Sequence, residues 1–270
     1  MSNVTSQSYQ FDQDFSIDEI ISDAYERLGL VGTSGHQLKT ARRSLNILFQ
    51  EWGNRGLHFW EVGNTNVTLI QGSSTNVDAT DEGAGTYTFY RNAVDSAAAA
   101  AASPQATTVP TANVYGITDI LNIGFRQNYN TTSQSDVALT KVDRSAYSGT
   151  ANKATVGTPS QFWVQRFIDR VTLTLYPLPN AAAAAATSKL MVYYVKRIQD
   201  VGAFSNATDT PFRFVPCMVS GLTYLLSQKF APERTQELKL FYEDDLARAL
   251  SEDGSPSSTY ITPKTYYPNI

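Results

Sequence analysis

Apolar positions recur at helical spacing at both ends of this chain and at a period of two through its middle. Ile17, Ile20, Ile21, Ala24 and Leu28 make the first stripe. Ser16 and Glu19 open it as a capping box, Asp18 and Glu19 put negative charge at the positive end of the dipole, and Gly29 closes it. A second helix carries Leu38, Ala41, Leu45, Leu48, Phe49 and Trp52 on one face, with Lys39, Arg42, Arg43 and Gln50 opposite. Ser34 and Gln37 are its capping pair, and Gly53 or Gly56 supplies the left-handed residue that ends it. Joined by the glycine-containing loop 29–35, the two helices read as an αα-hairpin.

The period then changes. Val67 and Leu69 alternate with Thr68 and Ile70, and further β-type runs follow at 86–90, 116–126, 136–142, 161–167, 170–176 and 190–198. RVTLTLY has the cleanest alternation, with Val171, Leu173 and Leu175 on one face and Thr172 and Thr174 on the other. KLMVYYVKR keeps its charges at the edges and suits a central strand. Pro177 and Pro179 end the strand before them. Two runs of six alanines, 97–102 and 181–186, are too short to hold a helix alone and read as flexible or helical loops or as unassigned side chains; no function is drawn from them.

Helical spacing returns after Asp209. Within Cys217–Phe230, Met218, Val219, Leu222, Leu225, Leu226 and Phe230 form a broad apolar face that implies burial against other helices. Pro232 suits the first position of a last helix, with Leu238, Phe241, Tyr242, Leu246, Ala249 and Leu250 on one side, stopped by Gly254 and Pro256. The short N-terminal helices cannot bury their stripes alone, so they are expected to pack on the C-terminal pair. The fold class expected is α+β: a helical bundle built from both chain ends, an inserted antiparallel β sandwich or barrel, and an extended C-terminal tail. The boundaries are a polar N-terminal arm at 1–15, ordered against a neighbour, a helical bundle at 16–60 and 211–253, a β domain at 61–210, and the tail at 254–270.

Composition adds exclusions. The net charge of −4 argues against a non-specific nucleic-acid binder, which needs a clustered basic surface, though not against DNA passing nearby. A single cysteine, Cys217, rules out an intrachain disulfide and a cysteine-rich metal site. No run approaches the ~18 apolar residues that cross a bilayer, and the first residues lack the features of a secretory signal. His36 and His58 stand a helix apart without a carboxylate or cysteine at ligand spacing, and the Gly83–Gly85 stretch lacks the lysine of a phosphate loop. The expectation is no enzyme, no catalytic residue, no cofactor and no metal.

The stretches ARRSLNILFQEWGNRG and KFAPERTQELKLFYEDDLARAL, with a PFRFVPCMVSGLTYLLSQKF-type helix between, resemble the head-to-tail adaptor proteins of short-tailed bacteriophages, the tail tubular protein A and tail accessory factor groups. The resemblance covers roughly residues 16–71 and 211–253. It implies a virion protein at the head-tail junction, assembled in the host cytoplasm. It also implies a homo-oligomeric ring of twelve copies between the portal protein and the tail nozzle protein. Tail fibres are a further candidate partner, and DNA passes through the channel without sequence-specific binding. It assigns portal docking to the tail, with Tyr260, Ile261, Tyr266 and Tyr267 as anchors. The competing readings are a carbohydrate-binding or hydrolytic tail component, motivated by Trp163, Tyr176, Tyr193 and Tyr194, and a nozzle subunit.

Overall fold

The computed structural model describes residues 16–31, 34–57, 59–72, 85–92, 116–203 and 205–253. The arm at 1–15, His58, the first alanine run and the tail with Tyr260, Ile261, Tyr266 and Tyr267 lie outside these. The chain is mixed α+β and divides into two compact units, one drawn from Met1–Glu51 and Asp200–Ile270, the other being Trp52–Gln199.

In the first unit, helix α1 (Ile17–Arg27) opens with the reciprocal capping box of Ser16 and Glu19. It closes by a Schellman motif, with Gly29 at φ +73°, the Gly29 N–H on Glu26 and the Leu30 N–H on Tyr25. Helix α2 (Gly35–Asn54) starts at the Ser34 and Gln37 pair, which exchange bonds of 3.2 Å, and ends by the same motif at Gly56 rather than Gly53. Its predicted stripe is buried except for Leu38, which is half-buried. Tyr25, outside the α1 stripe as read, is fully buried, and its hydroxyl donates to the Gln37 carbonyl of α2 at 2.8 Å. The unit reclaims the chain at Val201, whose carbonyl takes the Arg42 Nε at 3.1 Å and whose N–H donates to Asn46 Oδ1 at 2.8 Å.

The second unit holds strands β1 (Val62–Thr68), β2 (Thr86–Tyr90), β3 (Ile117–Gln127), β4 (Ser135–Ala138), β5 (Thr140–Val142), β6 (Val156–Gly157), β7 (Gln161–Arg166), β8 (Arg170–Tyr176), β9 (Leu178–Pro179) and β10 (Lys189–Lys196), with a short helix α3 (Arg144–Ser148). One sheet has the order β1-β10-β3-β4, another β2-β8-β7-β5, and β6 pairs with β9. KLMVYYVK is thus an inner strand, as its edge-placed charges suggested. The two larger sheets share one core, in which Val67, Phe125 and Val192 of one meet Phe89, Phe162 and Leu173 of the other. Most pairings are antiparallel, but β5 with β7 and β6 with β9 are parallel. The β5–β7 pair is reached by the crossover that carries α3.

Three expectations are corrected here. The run expected as one strand at 136–142 breaks at Leu139, which turns into the core between β4 and β5. Thr172 and Thr174, expected on an open face, are buried, as are Thr86 and Thr88 beside them on β2, so β8 is covered on both sides. The second alanine run forms turns, not a helix or a loose loop: the Ala183 N–H is held by Asn180 Oδ1 at 2.8 Å and its methyl enters the core.

Helix α4 (Val215–Phe230) is buried on nearly every side along its middle, Ser220, Gly221, Thr223 and Ser227 included. Helix α1 packs along it, with the Tyr25 and Phe230 rings 6.0 Å apart. Helix α5 (Thr235–Asp253) follows a 3-10 turn begun by Pro232 and also packs on α4. Across β3 and β4, Arg126 forks onto Asp136 at 2.7 and 2.6 Å, holding that carboxyl below its usual range.

Two buried acids of high pKa set an alkaline limit. Burial, and then the Asp245 charge, push the Cys217 thiol from 9.0 up to about 12. Burial pushes the Tyr87 hydroxyl from 10.0 up to about 12, against a smaller opposing effect of the Ile70 N–H that it accepts at 3.0 Å. Both keep their proton longer folded than unfolded, so their stabilisation is full below pH 9 and is lost as pH rises through 12. Denaturant titrations across that window should show stability falling with a slope approaching about 1.4 kcal/mol per pH unit for each group.

Candidate functional site

A concavity lined by described residues lies wholly on the helical unit. It has two adjoining chambers, of about 780 and 280 Å³. The larger has Val215 and Val219 of α4 and Ala249 of α5 as its apolar lining, with Phe212 from the 3-10 turn before α4. Thr223, Leu238 and Phe241 line the smaller, and Arg27 and Asp245 border both.

Helix α5 explains why the groove is open. Leu238, Tyr242, Leu246 and Ala249 are buried, a narrow seam at spacings of four, four and three. Phe241 and Leu250, expected on the same buried face, flank that seam and stay 56% and 37% exposed. Phe212 is 64% exposed. Two phenylalanines thus stand in water at the two chambers, a concentration of apolar surface that marks a contact site more often than chance exposure does.

Arginines are concentrated around it, and carboxylates just outside the lining, Asp244 and Glu237, pair with two of them. The two chambers are lined by four arginines, Arg27, Arg213, Arg234 and Arg248, against two aspartates, Asp23 and Asp245. Arg27 pairs with Asp23 one turn earlier at 3.2 Å, Arg248 pairs with Asp244, and Arg234 donates to the Arg27 carbonyl at 3.2 Å. The site is an apolar, arginine-rimmed trough suited to an extended chain with aromatic and acidic side chains.

Neither a histidine nor a cysteine is among the residues that line the two chambers. Cys217 of α4 is fully buried, its thiol donating to the Phe214 carbonyl at 3.2 Å, and with its pKa driven up it is a poor nucleophile. Among the described residues no group of three His, Cys, Asp or Glu could hold a metal ion. No helix there is long and apolar enough to cross a membrane. His36 is exposed on α2, and His58 is outside the described residues.

The aromatics behind the carbohydrate reading do not gather. Tyr194 is in the core and Tyr193 is half-exposed on the sheet of β1, β3 and β10. Trp163 and Tyr176 belong to the other sheet, and one face of the Trp163 ring is taken by Tyr147 of α3, 4.7 Å away and nearly parallel. The portal-docking anchors Tyr260, Ile261, Tyr266 and Tyr267 fall outside the described residues, so the groove was reached by no residue singled out from the sequence for docking. Its one legible signal was width: α5 carries more apolar positions than a single packed seam needs. The chain matches no family model and no curated protein.

Proposed function

We propose that this chain is a structural virion protein, a head-to-tail adaptor that forms a ring between portal and tail nozzle around the DNA channel. In this reading α1, α2, α4 and α5 close into one bundle built from both chain ends, and the two larger sheets are an inserted sandwich. The observation that carries it is the interleaving: the first fifty-odd residues and the residues after Asp200 share a unit, while Trp52–Gln199 folds between them. Both stretches that resemble the adaptor family belong mainly to that shared unit, in α2 and in α4 with α5. The exposed apolar groove, of the kind that docks a protein segment, also supports a structural role, and a net charge of −4 suits a conduit from which DNA slides freely.

Weighing particles by mass photometry tests it. Full-length chain mixed with purified portal rings should add twelve copies to each ring, with the tail residues Tyr260, Ile261, Tyr266 and Tyr267 needed for attachment. Portal rings that gain no mass would refute the reading.

A further inference from the structure

We propose that the groove on the helical unit receives residues 11–15 of the N-terminal arm from a second copy of this chain, with Phe11 and Phe15 as its anchors. The assignment deepens the adaptor reading and rests on it for bringing neighbouring copies together.

Spacing is the first argument. Phe241 marks one chamber and Ala249 the other, eight residues along α5, which is about 12 Å. An extended chain covers that distance in four residues at about 3.3 Å each, and side chains four apart point the same way. Phe11 and Phe15 are four apart. Charge is the second. The residues between them include Asp12 and Asp14, whose side chains alternate to the opposite side and would stand at the rim, where Arg27, Arg234 and Arg248 are exposed. The C-terminal tail fits worse, because its aromatic pair Tyr260 and Tyr266 is six apart and encloses Lys264, a cation facing arginines.

Geometry also decides whose arm it is. The fifteen residues outside the described set end at Ser16, the cap of α1. The first α1 residue on the groove is Asp23, seven residues and about 10 Å further along the axis. Phe15, next to Ser16, cannot bridge that distance to its own groove, whereas the arm of a neighbour has no such tether. Each copy would give one arm and take one, a head-to-tail contact that closes into a ring when the rotation allows.

The test uses full-length chain with Phe11→Ala and Phe15→Ala, which disables its own arm, and a labelled synthetic peptide of residues 4–15 as probe. The peptide should bind saturably, with a Kd below about 1 mM, and more weakly as salt is raised. Lysines in place of Asp12 and Asp14 in the peptide should cost at least about tenfold. That loss should be recovered when the chain carries Arg27→Glu and Arg248→Glu, two exposed positions, with circular dichroism confirming the fold. Mixing the arm variant with the groove variant should give a one-to-one pair that neither forms alone. The proposal is overturned by a failure to saturate, by no recovery on charge reversal, by no pair in the mixture, or by tighter binding of a peptide of residues 258–268. The adaptor reading fails separately: binding of the arm peptide without added mass on portal rings would sink that reading alone, and rings formed undiminished by Phe11→Ala and Phe15→Ala would sink the arm assignment alone.

Discussion

Gly221→Val is expected to remove about 3 kcal/mol from the helical unit and to lower its melting temperature by roughly 10 °C. Gly221 lies in α4 where α2 and α5 both come close: a β-carbon there would stand 2.9 Å from both terminal carbons of Leu48 and 2.9 Å from the Tyr242 ring. Leu48 and Tyr242 are themselves fully buried, so neither has free space to swing into. A single methyl could be absorbed by a small shift, offset by the helix preference of alanine over glycine, about 1 kcal/mol. Valine adds two further carbons that the packed neighbours must clear, and it also loses rotamer freedom in a helix. Gly53, in α2, is the matched control. A β-carbon there meets nothing within 4 Å, so Gly53→Val should leave the melting temperature nearly unchanged. Equal losses at the two glycines in thermal melts would show that crowding at Gly221 is not what makes it glycine.

The second large effect is Ile20→Ala, expected to cost about 3 kcal/mol. Ile20 is fully buried on α1, in the stripe that packs the N-terminal helix along α4. Its loss leaves a cavity that its neighbours cannot easily fill, because α4 is hemmed in on almost every side. Polar links to the same helix remain: the Thr223 hydroxyl, mainly bonded to Val219 at 2.7 Å, also reaches the Ala24 carbonyl at 3.5 Å. The variant should therefore weaken the unit without redirecting its packing.

How far these features could be read from the chain itself depends on whether their cause is local. The capping box of Ser16 and Glu19, the Gly29 stop and the α2 stripe are set by neighbours within one or two turns, and each is found where the pattern placed it. The strand Thr86–Tyr90 and the strand Arg170–Tyr176 fall at their expected bounds for the same reason. What the pattern lacked was non-local. Alternation in RVTLTLY says that two faces differ, not that one of them is wet, and threonine is small and branched enough to be covered at modest cost. The parallel pairing of β5 with β7 depends on a crossover, for which no residue of TKV is a signal. Helix α3 did leave a trace in Asp143, whose carboxylate caps it through the Ala146 N–H at 2.7 Å, but five residues are too few for a periodic stripe. The groove was the least legible feature. Phe241 repeats at helical spacing just as Leu238 and Tyr242 do, and only the position of α1 and α4 beside it leaves that ring in solvent.

The lone cysteine provides the sharpest test that the two ends of the chain are one cooperative body. Cys217 is fully buried in α4, nearly two hundred residues from Ile20, and reacts with a thiol reagent only when the helices open. Labelling of the native full-length chain, followed by intact mass under conditions where opening is in equilibrium, should be about a hundredfold faster in Ile20→Ala than in the parent, because about 3 kcal/mol lost at the N-terminal helix is felt in full at α4. A labelling rate at Cys217 that does not change with Ile20→Ala would mean that α1 comes and goes independently of α4, and the bundle on which the adaptor reading stands would not exist.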